Sequence, residues 1–228
     1  MNLLPEDITA IGLSLKVALT ATALSLPFGF ATAWLIVFRS FKGKVLLEVL
    51  INLPLTLPPV VIGYFLLLLL GKNGWLGELL AVSGIPVIFT WKAAVIASAA
   101  VGFPLLVRSI RLGMESIDRQ LIEASRCLGA SWHDSLITIV LPLSLRGILA
   151  GSSLMFARSL GEFGATIIVA GNIPGITQTI PLAIYDYASS PSSSSMALSL
   201  CLVSVVISVA VLFLHEMLGK QLDRSNGL

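Results

Sequence analysis

About five stretches of this chain are long and apolar enough to cross a lipid bilayer, and that decides most of what it can fold into. A bilayer core takes about 20 apolar residues per helix, and such runs extend over roughly 8–38, 45–70, 91–112, 136–158 and 196–217. Inside lipid every backbone polar group must be satisfied within its own segment, so isolated runs of this kind are helices. The expected fold is all-α: a polytopic membrane protein with one transmembrane domain over 1–228 and its core over about 8–217. Only 11% of the residues are charged and 56% are hydrophobic, against about 25% charged in soluble domains.

Basic residues set the orientation, because short cytoplasmic loops carry the excess of Lys and Arg. Arg39, Lys42 and Lys44 follow the first run, Arg108, Arg111, Arg119 and Arg126 the third, and Lys220 and Arg224 the fifth. The opposite loops hold Lys72 and Lys92, and 159–195 has neither Lys nor Arg. The N-terminus is thus expected outside, with the 113–135 loop and the C-terminus in the cytoplasm. Glu6 and Asp7 stand where a cleaved signal peptide would be basic, so the first run is expected to remain as an anchor. Lys16 is expected to snorkel to the headgroups. A net charge of +2, with its cations dispersed, argues against nucleic-acid binding. Cys127 and Cys201 lie in different environments, so neither a disulfide nor a metal site is expected, and His133 and His215 lack partners at metal-ligand spacing.

The 113–135 loop is the main polar interruption. Asp118 can cap a helix starting at Arg119. Ile117, Leu121, Ala124 and Leu128 then recur on one stripe, and Gly129 ends the helix. Ser131 and Asp134 have capping-box spacing for a second helix that runs into the membrane and meets Pro142. A short exposed helix with an apolar stripe fits a groove in a partner protein better than a lipid surface.

Two runs carry further signals. Pro54, Pro58 and Pro59 break the helical pattern of the second, expected to be one kinked span. Freed backbone at membrane depth is tolerated against protein or beside a water-filled path, so this span is placed next to a pathway or in a static packed kink. Gly147 and Gly151 form a GxxxG step that serves either packing within the chain or a dimer contact. Arg158 and Glu162, four apart, are expected to form a structural ion pair. The 161–184 segment either adds a re-entrant piece or stays outside the membrane. Ser189–Ser195 reads as an exposed loop.

Glu123-Ala124-Ser125, three residues, Gly129, nine residues, Ile139, one residue, Leu141-Pro142 resembles the EAA signature of ABC importer permeases, with Ser125 in place of the second alanine. Leu53–Tyr64, Phe156–Thr166, Asn172–Gly175 and Thr179–Pro181 are similar to the molybdate permeases of that family, and sulfate permeases carry a related form of the second segment. The resemblance implies the type I ABC importer transmembrane fold and a permease that moves molybdate inward by alternating access. It also implies a homodimer, two cytoplasmic ABC ATPase subunits that carry ATP-Mg, an extracytoplasmic oxyanion-binding protein, and the inner membrane of a prokaryote. No cofactor is expected on this chain: Gly43-Lys44 is followed by Val45 and Gly219-Lys220 by Gln221, so no P-loop occurs. Coupling to the ATPase is expected at Leu121, Glu123, Ala124, Ser125, Leu128 and Gly129. Candidate pathway residues are Thr56, Pro58, Pro59, Ser159 and Thr166; the hydroxyls of Thr56, Ser159 and Thr166 suit a weakly held oxyanion that must also leave. Gly129→Asp is expected to leave insertion intact and to abolish transport. The competing readings are a sulfate or tungstate permease and an ion-coupled secondary transporter. The latter usually places ionisable groups within its spans, and the middles of the five runs lack them. No catalytic residues are expected.

Overall fold

The computed structural model describes residues 4–72, 74–82, 84, 86–190 and 193–225. Its described residues are helical and connected by short turns. Helix α1 (Pro5–Phe38) has 34 residues, about 50 Å at 1.5 Å per residue. It exceeds the roughly 30 Å hydrocarbon layer and must tilt or protrude. Its buried face is built from small residues, among them Ala10, Ser14, Ala18, Ala21, Ser25, Gly29 and Ala33. A face of that kind lets neighbouring helices approach closely.

Helix α5 (Trp91–Glu115) is the centre of the bundle. It packs between α1 and α9 (Leu145–Leu160). The α5–α9 contact is nearly backbone to backbone. A Cβ on Gly147 would lie 2.7 Å from the Ser109 carbonyl oxygen, and one on Gly151 2.9 Å from that of Leu106. The GxxxG step is therefore used for packing inside the chain.

Among the described residues, three helices, α1, α5 and α12 (Ser194–Ser225), are individually long and apolar enough to span, and two bent pairs, each counted as one span, bring the total to five. The second run is broken outright rather than gently kinked. It divides into α2 (Lys44–Thr56) and α3 (Pro59–Leu70), whose axes turn by 115°. The cause is local. Leu57 and Pro58 each precede a proline, which disfavours helical ψ, and both are extended, with ψ of 143° and 134°. Pro59 then starts α3, where a missing N–H costs nothing.

The fourth run also bends, by 62°, at Ser144. Ahead of it lie α7 (Trp132–Ser135), a π-helical turn (Leu136–Val140) and α8 (Leu141–Leu143). Pro142 has no N–H for the carbonyl one turn back and would crowd it; the widened turn accommodates it.

Helix α4 (Trp75–Val82) is a short helix after α3. The 161–184 segment, open in the sequence, enters the bundle. It contains α10 (Gly164–Val169), with Gly164, Ala165, Thr166 and Val169 buried, and the start of α11 (Ile180–Ala188). α10 packs on α3 and α5, and α11 on α12 and α1. Polar bonds fix α11: the Ile180 N–H donates to Ser14 Oγ at 2.8 Å, and the Tyr187 hydroxyl to Asp7 Oδ1 at 2.9 Å.

Candidate functional site: the polar loop and the broken span

Helix α6 (Arg119–Cys127) is the loop's exposed element. Asp118 caps it by accepting the Gln120 N–H at 2.9 Å. Its C-terminus is a Schellman turn: Gly129 N–H donates to Arg126 C=O at 3.0 Å, and Ala130 N–H to Ser125 C=O at 3.1 Å. Gly129 has φ +93°, a region a Cβ-bearing residue enters only with strain. Two residues on, Ser131 and Asp134 form the capping box of α7, with Ser131 Oγ accepting the Asp134 N–H at 3.2 Å. Helix, glycine turn and second helix thus follow from residues each required by its own position.

The exposed face carries Leu121, Glu123, Ala124 and Leu128, the last 90% exposed. The stripe needs one correction. Ile117 is buried and does not share it; Ile122 is the inward-facing residue of α6. Helical spacing cannot be counted through Asp118, which has an extended backbone with ψ 120°. Ser125 faces differently from the exposed residues of α6. It lies three residues after Ile122 on the inner face, and its Oγ is 2.8 Å from Ser135 Oγ on α7. Ser125 therefore ties the two loop helices together.

The loop is held against the bundle by aromatic rings. Trp132 of α7 packs on Trp34 of α1 at 6.0 Å between centroids and on Phe38 at 5.9 Å, edge to face. Arg39 lies over the Trp34 ring at 5.4 Å. Such contacts add about 0.5–1.5 kcal/mol per pair beyond burial. Sequence reading missed this cluster. Trp34 and Trp132, each at the loop-side end of its run, were its only signal.

The broken span meets the segment after α9 directly. A Cβ on Gly63 of α3 would lie 2.8 Å from the Ala165 carbonyl oxygen, and one on Gly164 3.0 Å from Pro59 Cβ. The Leu53–Tyr64 and Phe156–Thr166 segments are thus two sides of one contact. Arg158 Nη1 and Glu162 Oε2 are paired at 2.7 Å, and Glu162 Oε1 accepts the Ala165 N–H at 2.8 Å. The carboxylate is buried and fixes both the end of α9 and the start of α10.

The candidate pathway residues are not brought to one surface. Thr56 and Pro58 are exposed at the break, and Thr56 Oγ1 donates to the Leu53 carbonyl at 2.9 Å. Pro59 is half-buried beside Gly164. Ser159 and Thr166 are buried, at 5% and 1% exposure, so they do not line an open surface of this chain. Thr166 lies on α10, whose close contact with α3 sequence spacing could not reveal. Lys16, expected at the headgroups, stands over the Trp91 ring at 3.9 Å.

A model of the family described as "Binding-protein-dependent transport system inner membrane component" matches residues 25–224. The "Molybdenum transport system permease protein ModB" of Haemophilus influenzae is 49% identical over 222 residues, covering 97% of each chain. The protein of the same name from Escherichia coli K12 is 48% identical over 221 residues, covering 96% of each. Among solved structures, a subunit of a bacterial alginate ABC transporter in complex with alginate pentasaccharide-bound periplasmic protein superposes with a TM-score of 0.76 at 16% identity, over 96% of this chain and 80% of that one.

Proposed function

The chain belongs to the binding-protein-dependent transport system inner membrane component family, and from that premise we propose that it is the permease subunit through which a molybdate ABC importer moves its oxyanion inward. The observation that carries the coupling half of this reading is α6. It is capped at both ends, tied to α7 through Ser125 and Ser135, and exposes Leu121, Ala124 and Leu128. A short helix held rigidly with an apolar face outward suits a groove in a partner. That partner is a separate cytoplasmic ATPase subunit carrying ATP-Mg, two per complex. The names of the similar proteins support the molybdate half.

The whole chain, 1–228, forms one transmembrane domain. The 113–135 loop and the C-terminus lie in the cytoplasm and the N-terminus outside, as the Lys and Arg distribution directs. Two copies form the pathway. The break at Leu57–Pro58 supports this, since Leu53, Leu55, Thr56 and Pro58 are exposed there. Interrupted backbone is not stable against lipid and needs a second copy or a water-filled path beside it. Closure of the ATPase pair moves α6 and α7 as one body, and the two copies rock between outward and inward openings. An extracytoplasmic binding protein delivers the oxyanion, and the permease itself holds it weakly so that it leaves.

The test is uptake of labelled molybdate into vesicles that contain this chain, its ATPase and its binding protein. ATP-driven uptake blocked by tungstate but not by excess sulfate is the expected result. Efficient competition by sulfate moves the assignment to a general sulfate-type importer. Uptake indifferent to ATP overturns the ABC reading.

A further inference from the structure

Helix α2 is held to its own protomer in an unusual way. None of its residues is buried, and it packs on α5. Its one carboxylate, Glu48, reaches that helix: Glu48 Oε1 lies 3.2 Å from Arg111 Nη1. The same guanidinium donates through Nε to Glu115 Oε1 at 2.7 Å, within α5. Arg111 thus has one edge fixed to its own helix and the other to α2, an arrangement the planar fork of Arg permits and the point charge of Lys does not.

Beside the pair is a cavity of about 420 Å³ lined by Glu48, Asn52, Pro104, Arg108, Arg111 and Glu115. The ion pair bridges the two helices beside this cavity, while Leu47 and Ile51 of α2 pack partly buried against the core. Arg111 is also close to the polar loop along the chain. About one turn later α5 ends at Glu115, Ser116 Oγ donates back to the Gly113 carbonyl at 2.8 Å, and buried Ile117 leads into the Asp118 cap of α6. At its far end, α2 runs into the Leu57–Pro58 break.

We propose that Glu48 and Arg111 are the positioning pair that carries movement of α6 and the end of α5 to α2, and so to the broken span. The proposal rests on the reading that α6 docks an ATPase. α2 has no fully buried residue, and beside the partial packing of Leu47 and Ile51 the ion pair is a directional tie to the end of α5. An ion pair across a cavity pulls α2 along without preventing it from turning.

The experiment compares labelled molybdate imported per ATP hydrolysed in vesicles containing the full complex. Wild type is set against Glu48→Gln, Arg111→Met and the charge-exchanged Glu48→Arg/Arg111→Glu chain. In the last, an arginine at 48 faces the carboxylates at 111 and 115. The single variants are expected to keep the ATPase bound and hydrolysing, with import per ATP reduced at least five-fold. The exchanged chain is expected to recover at least half of the wild-type ratio. Single variants that keep the ratio within two-fold overturn the proposal, as does a loss of assembled protein with the ratio unchanged, which marks a static staple. Glu48→Gln is nearly isosteric and guards against simple misfolding. Failure of the wild-type complex to import with ATP refutes the underlying functional reading instead.

Discussion

Gly129 gives the sharpest perturbation of the polar loop. Its φ of +93° is left-handed, and a Cβ built on it meets nothing within 4 Å. A substitution there strains the backbone without colliding with the rest of the chain. The left-handed region costs a Cβ-bearing residue about 1–2 kcal/mol, less for Asn and more for a β-branched residue. A cost of 1–2 kcal/mol shifts the ratio of formed to opened turn by about 5–30-fold. Opening releases the Gly129 and Ala130 bonds to Arg126 and Ser125 and frees the angle between α6 and α7. The assay is ATP-driven uptake per assembled complex, with membrane insertion measured alongside. Gly129→Val is expected to lose most uptake, Gly129→Ala part of it, and Gly129→Asn little, with insertion intact in all three. Gly129→Asp has the shape of Asn plus a charge. Its expected loss of transport, set against the retained function of Gly129→Asn, isolates a carboxylate placed at the ATPase contact. Wild-type uptake in Gly129→Val refutes the claim that this turn sets the coupling geometry.

Three further outcomes follow from the packing. Gly151→Leu places a side chain where a Cβ alone lies 2.9 Å from the Leu106 carbonyl oxygen, and overpacking of this kind costs about 1–3 kcal/mol or more; thermal unfolding in detergent is expected to drop while Gly12→Leu, in open space, leaves it unchanged. Arg158→Met leaves the buried Glu162 carboxylate without its cation, a loss of about 3 kcal/mol, at the low end for a broken buried pair because Arg158 keeps contact with solvent; adding Glu162→Gln is expected to restore part of the thermal stability. Tyr187→Phe removes the donor to buried Asp7, and a hydrogen bond to a charged group contributes about 1.5–3 kcal/mol. Desolvation first and the neighbouring Asp7 second raise the Tyr187 hydroxyl to about 12 from the ordinary 10.0. Its contribution to stability is therefore complete below pH about 10 and lost as the pH rises towards 12; a fall in wild-type stability already at pH 8, absent in Tyr187→Phe, contradicts this.

The features legible in the sequence were those that a residue imposes on its own backbone. Asp118, Gly129, Ser131 and Asp134 announce caps and a turn, and each makes the bond its position demands. Pro58 and Pro59 announce a break, but the 115° angle depends on where α3 finds its partner. That partner, α10, was hidden because Gly63 and Gly164 declare a close approach without saying to what. The burial of Ser159 and Thr166 was hidden for the same reason. Glu48 was a visible signal passed over: a carboxylate in a run otherwise fit for lipid asks for a cation, and Arg111 sits near the end of another run. Pairing the two needed the antiparallel register of the helices, which no local pattern contains.

The central claim is that the exposed face of α6 is where a separate ATPase drives this permease. The most direct measurement is site-specific photo-crosslinking from Leu128→benzoylphenylalanine, a position 90% exposed, in the assembled complex in membranes. The account predicts an adduct with the ATPase subunit and none with lipid. Lipid adducts alone, with the ATPase bound and active, would contradict it.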